Sequence, residues 1–481
     1  MSVFKYFLCL FISANCIAVF AQNKQDSIYE PDEMIEDFNY LHQQIQLNHP
    51  GIFKYTSAQK WDSIYNETIK KLDKPLRDVK YRLIIRSYLS NVKCGHTQVL
   101  PSNESIKNYN KHKHYAAPFK VAIINNKLIV TENLSNDSNL VIGTEIIKIN
   151  NHTAKEIVNS IFEIQNADAG LASMKSYYGA SQFQSYFNAY FEEDSVFNLD
   201  GVDVNGNYQT FVVKEKKGKK NKIKTTTIKY NLFNQKNGSF RICGSDSQTA
   251  VMKISSFQMN NTAKFYSRAF DQLKENDIKY LILDLRGNGG GNILDAAELI
   301  SYLSKDTFSY SFVRGKQGLT YNKNASQKLI YYFSRTMLNL FGNKNEIENQ
   351  YHYFFSYDKK QLKEDNHFEG AVFCLIDNGS FSAASFVAAY MKHKAKAILI
   401  GQETAGTEMG CYAVQTPILI LPNTKNYIRI PHYQFKHHLP ITNNERGVIP
   451  NIEIEVNAKT IQSKNDEEMD LVWKLILENE K

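Results

Sequence analysis

Apolar residues recur at two distinct spacings along the chain. In "DEMIEDFNYLHQQIQLN" Met34, Phe38, Leu41 and Ile45 fall three or four positions apart, so the spacing predicts a helix, broken by "NHPG". "SAQKWDSIYNETIKKL" predicts a second helix capped by Ser57, and "LRDVKYRLIIRSYLSNV" a third that ends at "KCGHTQVL". The pattern then changes. "FKVAIINNKLIVTEN" reads as a β-hairpin turning at Asn125-Asn126, and "IGTEIIKINNHTAKEIVNSI" as turn, strand, turn and helix. From about residue 250 strands alternate with helices: "AVMKISSF", "TAKFYSRAFDQLKE", "KYLILDL", "NILDAAELISYL" and finally "AVFCLIDNGSFSAASFVAAYMKH". That alternation predicts a largely parallel sheet covered by helices. Residues 314–368, rich in Tyr and Asn, interrupt it without a clear period.

Length and composition change this picture little. The 481 residues, 43% hydrophobic, suffice for about three domains with large cores. The expected division is 22–105 helical, 115–245 β-rich and 246–481 α/β. The N-terminal "MSVFKYFLCLFISANCIAVFAQ" adds a function of its own. One lysine, an apolar run and Val19 and Ala21 before Gln22 predict a secretory signal peptide over residues 1–21, cut after Ala21. Cys16 follows "SAN", a poor lipobox, which disfavours lipoprotein anchoring, and no other apolar run reaches membrane-spanning length. The remaining Cys94, Cys243, Cys374 and Cys411 are scattered without a CxxC, which argues against both a zinc site and a disulfide framework. Net charge is +8, or +7 without residues 1–21, and much of the excess lies in "KEKKGKKNKIK" at 214–224. Lacking interleaved aromatics, that run reads as a solvated hairpin tip rather than a nucleic-acid surface.

Chemistry concentrates at strand ends. "LILDLRGNGGGN" (281–292) runs from a buried strand into four glycines within five positions. A dinucleotide fingerprint would need a glycine where Asn292 stands, and no phosphate-loop lysine follows. What remains is a cluster of backbone N–H groups at a strand end, suited to a developing oxyanion. A second strand ends in "DNGSFSAAS", placing Ser382 at the start of a helix with the Ala383 N–H beside it; Ser380 competes for the nucleophile role. A serine needs a base. His393 lies eleven residues along the same helix, about 16 Å away, and cannot serve. "KCGHTQVL" offers His96.

The set "CGHTQ", "LILDLRGNGGGN", "GSFSAAS", "GQETAGT" and "NERGVIPNIEIE", in that order, resembles the C-terminal-processing and tricorn-core family of serine proteases. The resemblance implies a helical N-terminal segment, a PDZ-like domain and a ClpP/crotonase-like α/β core. It implies an oxyanion amide from Gly290, with Gly289 the runner-up, alongside Ala383. Where relatives of the Ser-Lys style carry the lysine base, this chain has Thr407, which cannot accept a proton. The tricorn-like style uses an N-terminal histidine and a late glutamate, matching His96 and Glu445; the hydroxyl residue that precedes that histidine is replaced by Gly95, and the acid three places after the nucleophile by Ser385. The expectation is therefore an exported serine endopeptidase of the Gram-negative periplasm. It would act on peptides or unfolded tails through Ser382, His96 and Glu445, with no metal or cofactor and an activity that follows a histidine titration. The rival expectation is a peptide-binding scaffold that has lost catalysis.

Overall fold

The computed structural model describes residues 27–111, 114–191, 195–215, 233–243, 248–315, 320, 325–348, 350–357, 363, 366–441 and 445–479. The signal-peptide expectation and most of the lysine-rich run at 214–224 lie outside them. The three N-terminal helices form at Pro31–Asn48, Ala58–Ile69 and Asp78–Ser90, and the Ser57 side chain accepts from the Lys60 N–H as a cap. They enclose Met34, Phe38, Leu41, Trp61 and Tyr88, and this cluster continues onto Leu419 and Ile428 from far along the chain. Gln98–Leu100 pairs with Tyr427–Arg429, so the loop carrying His96 is sewn to the C-terminal half.

A β-rich unit follows. Its strands Phe119–Ile124, Lys127–Asn133, Glu145–Ile149, Phe197–Val202 and Tyr208–Val213 neighbour one another in that order, with three helices between the third and fourth. Asn125 and Asn126 both take positive φ (49° and 62°), the conformation a tight hairpin turn asks of its central residues.

The third unit is a seven-stranded sheet in the order 233–235, 238–243, 249–254, 280–284, 371–376, 398–401, 452–453. From Thr249 onward the pairs are parallel. Along Tyr280–Asp284 alternate side chains face opposite layers. Leu281 and Leu283 join the helices Thr262–Glu275, Ile293–Leu303 and Ala383–His393, whereas Ile282 meets the helix Glu467–Asn479. Strand Gly238–Cys243, in the segment expected to belong to the β-rich domain, instead pairs with Thr249–Ile254, because Phe240 then packs into the core of the large sheet. Residues 314–368 are also more regular than their composition suggests: helix Ala325–Phe341 and strands Asn343–Ile347 and Gln350–Tyr357 extend an antiparallel sheet that also contains Phe308–Gly315, Tyr433–His437 and Gly410–Ala413.

A charged clasp closes the sheet at its functional end. Buried Asp284 binds Lys253 (3.0 Å) and Arg286 (3.0 Å), and Arg286 reaches on to Asp466 (2.6 Å) and Glu468 (3.3 Å) at the start of the last helix. Burial alone would raise the Asp284 carboxyl, but Arg286 and Lys253 outweigh it and hold it below the ordinary value. A depressed carboxyl stabilises the fold above the unfolded value of about 3.9, and that contribution is lost as pH falls through the folded one. Asp284→Asn should cost about 1–3 kcal/mol in urea denaturation at pH 7, because Arg286 and Lys253 lose the buried carboxylate between them while Arg286 keeps Asp466 and Glu468. The difference from the parent should shrink below about pH 4.

Candidate active site

Strands Tyr280–Asp284 and Ala371–Ile376 are adjacent and parallel, so their C-terminal ends emerge side by side. The two following loops are then bound together. Asn288, fully buried, accepts from the Phe381 N–H through its carbonyl (2.9 Å). Its side-chain amide donates to the Ile254 carbonyl (2.8 Å) and its Oδ1 accepts from the Gly290 N–H (2.8 Å). Asp377 gathers the N–H groups of Gly287 (2.8 Å) and Gly379 (3.0 Å) and the Ser380 hydroxyl (3.2 Å). Asn292, which excluded a dinucleotide site, caps the helix Ile293–Leu303.

Ser382 sits where these loops meet, immediately before helix Ala383–His393, with φ 56° and ψ −115°. That is a strained conformation for a residue with a side chain, worth about 1–3 kcal/mol, and it persists because the neighbouring hydrogen bonds over-determine it. Such a strand-to-helix elbow presents a hydroxyl outward. Ser382 is partly exposed, caps nothing, and stands in hydrogen-bond reach of the Cys411 thiol. Ser380, its competitor, is buried and donates to the Leu285 carbonyl (2.9 Å), so its hydroxyl serves the loop.

His96 stacks on Phe381, the residue before Ser382, with ring centroids 4.6 Å apart at 28°. No hydrogen bond joins the ring to Ser382. Close approach of the His96 loop to the serine loop requires Gly95, since a Cβ there would lie 2.4 Å from the Met174 methyl and 2.9 Å from the Phe381 ring. Burial, with Arg429 adding to it, pushes the imidazole down to about 3, and its Nδ1 is buried without a partner. Glu445 is exposed and lies close enough to Tyr55 to raise its hydroxyl pKa, behind burial and the charges of Asp168 and Cys94. Glu403 is held by Arg446 through two 2.8 Å bonds. His393 pairs with Glu408 at 2.9 Å, away from the serine. Thr407 donates to the Gly410 carbonyl and lines, with Asp168, Cys411 and Tyr412, a cavity of about 230 Å³.

The amides differ from the expected order. The Gly290 N–H is committed to Asn288, because the Asn288 side chain folds back over the turn, whereas those of Gly289 and Ala383 meet no acceptor among the described residues. Gly290 has a different task. At φ +98° a Cβ on it would stand 2.8 Å from both the Phe381 oxygen and the Ser382 Cβ. Sequence reasoning passed over Asn288, Asp377 and Cys411, and Asp168 as well. Their polar or thiol side chains in apolar surroundings were the available signal.

Donor atoms of Cys94, His96 and Asp168 lie within 4.8 Å of one another. Burial, with Asp168 nearby, pushes the Cys94 thiol up to about 12, and it donates to the Tyr412 carbonyl (3.7 Å). That leaves two free donors, fewer than the three or four protein ligands zinc takes. The trio reads as a dry polar pocket behind His96.

An elbow serine, free amides beside it and a histidine stacked against its loop define a hydrolase site of the serine class. Residues 248–454 match the profile of peptidase family S41, a family of serine-type peptidases. No curated protein sequence matches it. Among solved structures, mature CPAF complexed with lactacystin is similar at 13% identity and TM-score 0.64, with 93% of this chain and 98% of that one covered. Mature CPAF alone gives 14% identity and TM-score 0.63, with 93% and 97% covered. These likenesses extend the shared fold over nearly the whole chain. The inactive-scaffold expectation is not favoured.

Gly290→Ala should lower stability by about 1–3 kcal/mol, since both the contact and the positive φ are with backbone that cannot give way. It should also displace Ser382, and a fluorophosphonate probe should label the variant far more slowly than the parent under conditions where both are folded.

Proposed function

We propose that the protein is an exported endopeptidase that cleaves peptides or unfolded polypeptide tails, with Ser382 as nucleophile and His96 as general base. The observation that carries this reading is the strained Ser382 backbone, held at the junction of two strand ends with the Ala383 N–H free beside it. Ser382 attacks the scissile carbonyl. His96 takes the hydroxyl proton and returns it to the leaving amine. The N–H groups of Ala383 and Gly289 receive the oxyanion, and Gly290 joins them only if Asn288 releases it. His96 reaches Ser382 by leaving its stack on Phe381, a tightening expected between a resting enzyme and its substrate complex. Glu445 stabilises the imidazolium through its charge.

An extended substrate has a route to the site. Strand Phe119–Ile124 is an edge of its sheet, and beside it a groove of about 790 Å³ passes helix Ala172–Ser181 and reaches Asp377 and Glu403. An edge strand flanked by a helix suits a peptide that adds as a further strand, in keeping with the PDZ-like reading. The apolar leader supports export to the periplasm.

Ser382→Ala should abolish hydrolysis of unfolded casein while keeping the parent's urea midpoint. Ser380→Ala should lose about 1–3 kcal/mol of stability, because the Asp377 N–H loses the Ser380 hydroxyl that accepts from it (3.1 Å), yet retain turnover. The opposite outcome would move the nucleophile to Ser380. Glu445→Gln should slow turnover less than His96→Ala does; parent-like rates in Glu445→Gln would remove that glutamate from the mechanism.

A further inference from the structure

Behind His96 two loops distant in sequence are stitched together. The Asn166 side chain donates to the Thr97 carbonyl, the Ala169 N–H donates to the Lys93 carbonyl (3.0 Å), and the Gly95 N–H donates to Asp168 Oδ1 (2.7 Å). Asp168 opens a single 3₁₀ turn, Asp168–Gly170, whose Ala169 takes φ 52°. Its carboxylate is 3% exposed, and only one oxygen is used. Oδ2 is buried with no partner, and so is His96 Nδ1, with a ring nitrogen and a carboxylate oxygen of the pair inside 4.8 Å. Leaving one buried polar atom unpaired costs about 1–3 kcal/mol. A donor and an acceptor both left unpaired in one small pocket indicate a bond that forms during turnover.

We propose that Asp168 is the positioning carboxylate of His96, accepting from Nδ1 while the other ring nitrogen takes the Ser382 proton. The inference rests on the Ser382–His96 reading and adds to it a contact that exposed Glu445 does not supply. The proton count balances: Ser382 loses one proton, the imidazole gains it, and the carboxylate remains ionised beside the resulting imidazolium. Gly95 has no hydroxyl to place before the histidine, and Asp168 restrains that position instead by holding the Gly95 N–H.

The electrostatics of the pocket give this pairing a pH signature. Burial raises Asp168 to about 7, partly offset by the Gly95 N–H, and lowers His96 to about 3. Around them stand Cys94, Cys411, Tyr55, Tyr178 and Tyr412, all protonated at neutral pH, with Arg429 facing the imidazole. Protonation of the Asp168 carboxyl takes away the acceptor that Nδ1 would use. The form with neutral imidazole and ionised carboxylate therefore holds above about pH 7, and activity falls as acid protonates the carboxylate. Without the carboxylate, the imidazole alone stays neutral to much lower pH.

The test is the rate of fluorophosphonate labelling against pH for the parent, Asp168→Asn, Glu445→Gln, His96→Ala and Ser382→Ala. The amide introduced by Asp168→Asn keeps an oxygen for the Gly95 N–H, so that variant should stay folded by circular dichroism. Its labelling at pH 8 should fall by about 100-fold or more, the usual contribution of an oriented base. Its acid limb should move down by more than one pH unit from near 7, a shift that lost packing alone would not produce. A labelling rate within twofold of the parent with an unmoved limb would overturn the proposal. Labelling that survives in Ser382→Ala, or is unchanged in His96→Ala, would instead overturn the reading beneath it. Should Asp168→Asn fail to fold, the parent decides. A low-field Nδ1 proton resonance in its fluorophosphonate adduct, absent from His96→Ala, supports the pairing, and no such resonance in the adduct from pH 4 to 8 contradicts it.

Discussion

The approach of two strand ends within one parallel sheet is the constraint on which the site depends. Parallel pairing of Tyr280–Asp284 with Ala371–Ile376 brings the following loops side by side, and the Asn288 carbonyl then takes the Phe381 N–H. With the loops held that close there is no room for a Cβ at residue 290, and Ser382 takes its strained elbow at φ 56°. Asp377 and the Asp284–Arg286 clasp secure the same edge from the other side. The glycine cluster thus answers two demands at once, since it lets one backbone approach another and leaves amides unpaired beside the hydroxyl.

Around that frame the pocket is kept dry. Phe381, Met174, Leu171 and Ala405 form a small apolar cluster of their own, and His96 lies against it. In such surroundings each ionisable group alone prefers neutrality, which is why burial moves His96 down and Asp168 up. A charge that appears during reaction is then worth far more than in water, provided a partner is already in place. The helical N-terminal segment contributes through geometry: Gln98–Leu100 is bound to Tyr427–Arg429, so His96 and Ser382 are positioned by elements from opposite ends of the chain.

Much of this was legible in the residues. The helix spacing of Met34, Phe38, Leu41 and Ile45, the Ser57 cap and the Asn125-Asn126 turn are local signals, and each appears where the pattern places it. The glycine and serine motifs also announced themselves, because small residues directly after buried strands have few other uses. What stayed hidden depends on distance along the chain. Asp168 meets Gly95 across 73 positions, and Asn288 looks like one more turn residue until the Phe381 N–H is seen against it. The preference for Gly290 as oxyanion donor followed a shared spelling, and a side chain two residues away had claimed that amide. Residues 314–368 looked irregular because Gln350–Tyr357 pairs with Phe308–Gly315 across the helix Ala325–Phe341, and carries alternation too weak to read alone.

The central claim is that the elbow serine is the reacting atom. The most direct measurement is mass-spectrometric location of a fluorophosphonate adduct after digestion of the labelled protein. The account predicts the adduct on the Ser382 hydroxyl, within the peptide containing "GSFSAAS", and its loss when the protein is first denatured. An adduct on Ser380 or on another residue, or equal labelling of folded and denatured protein, would contradict it.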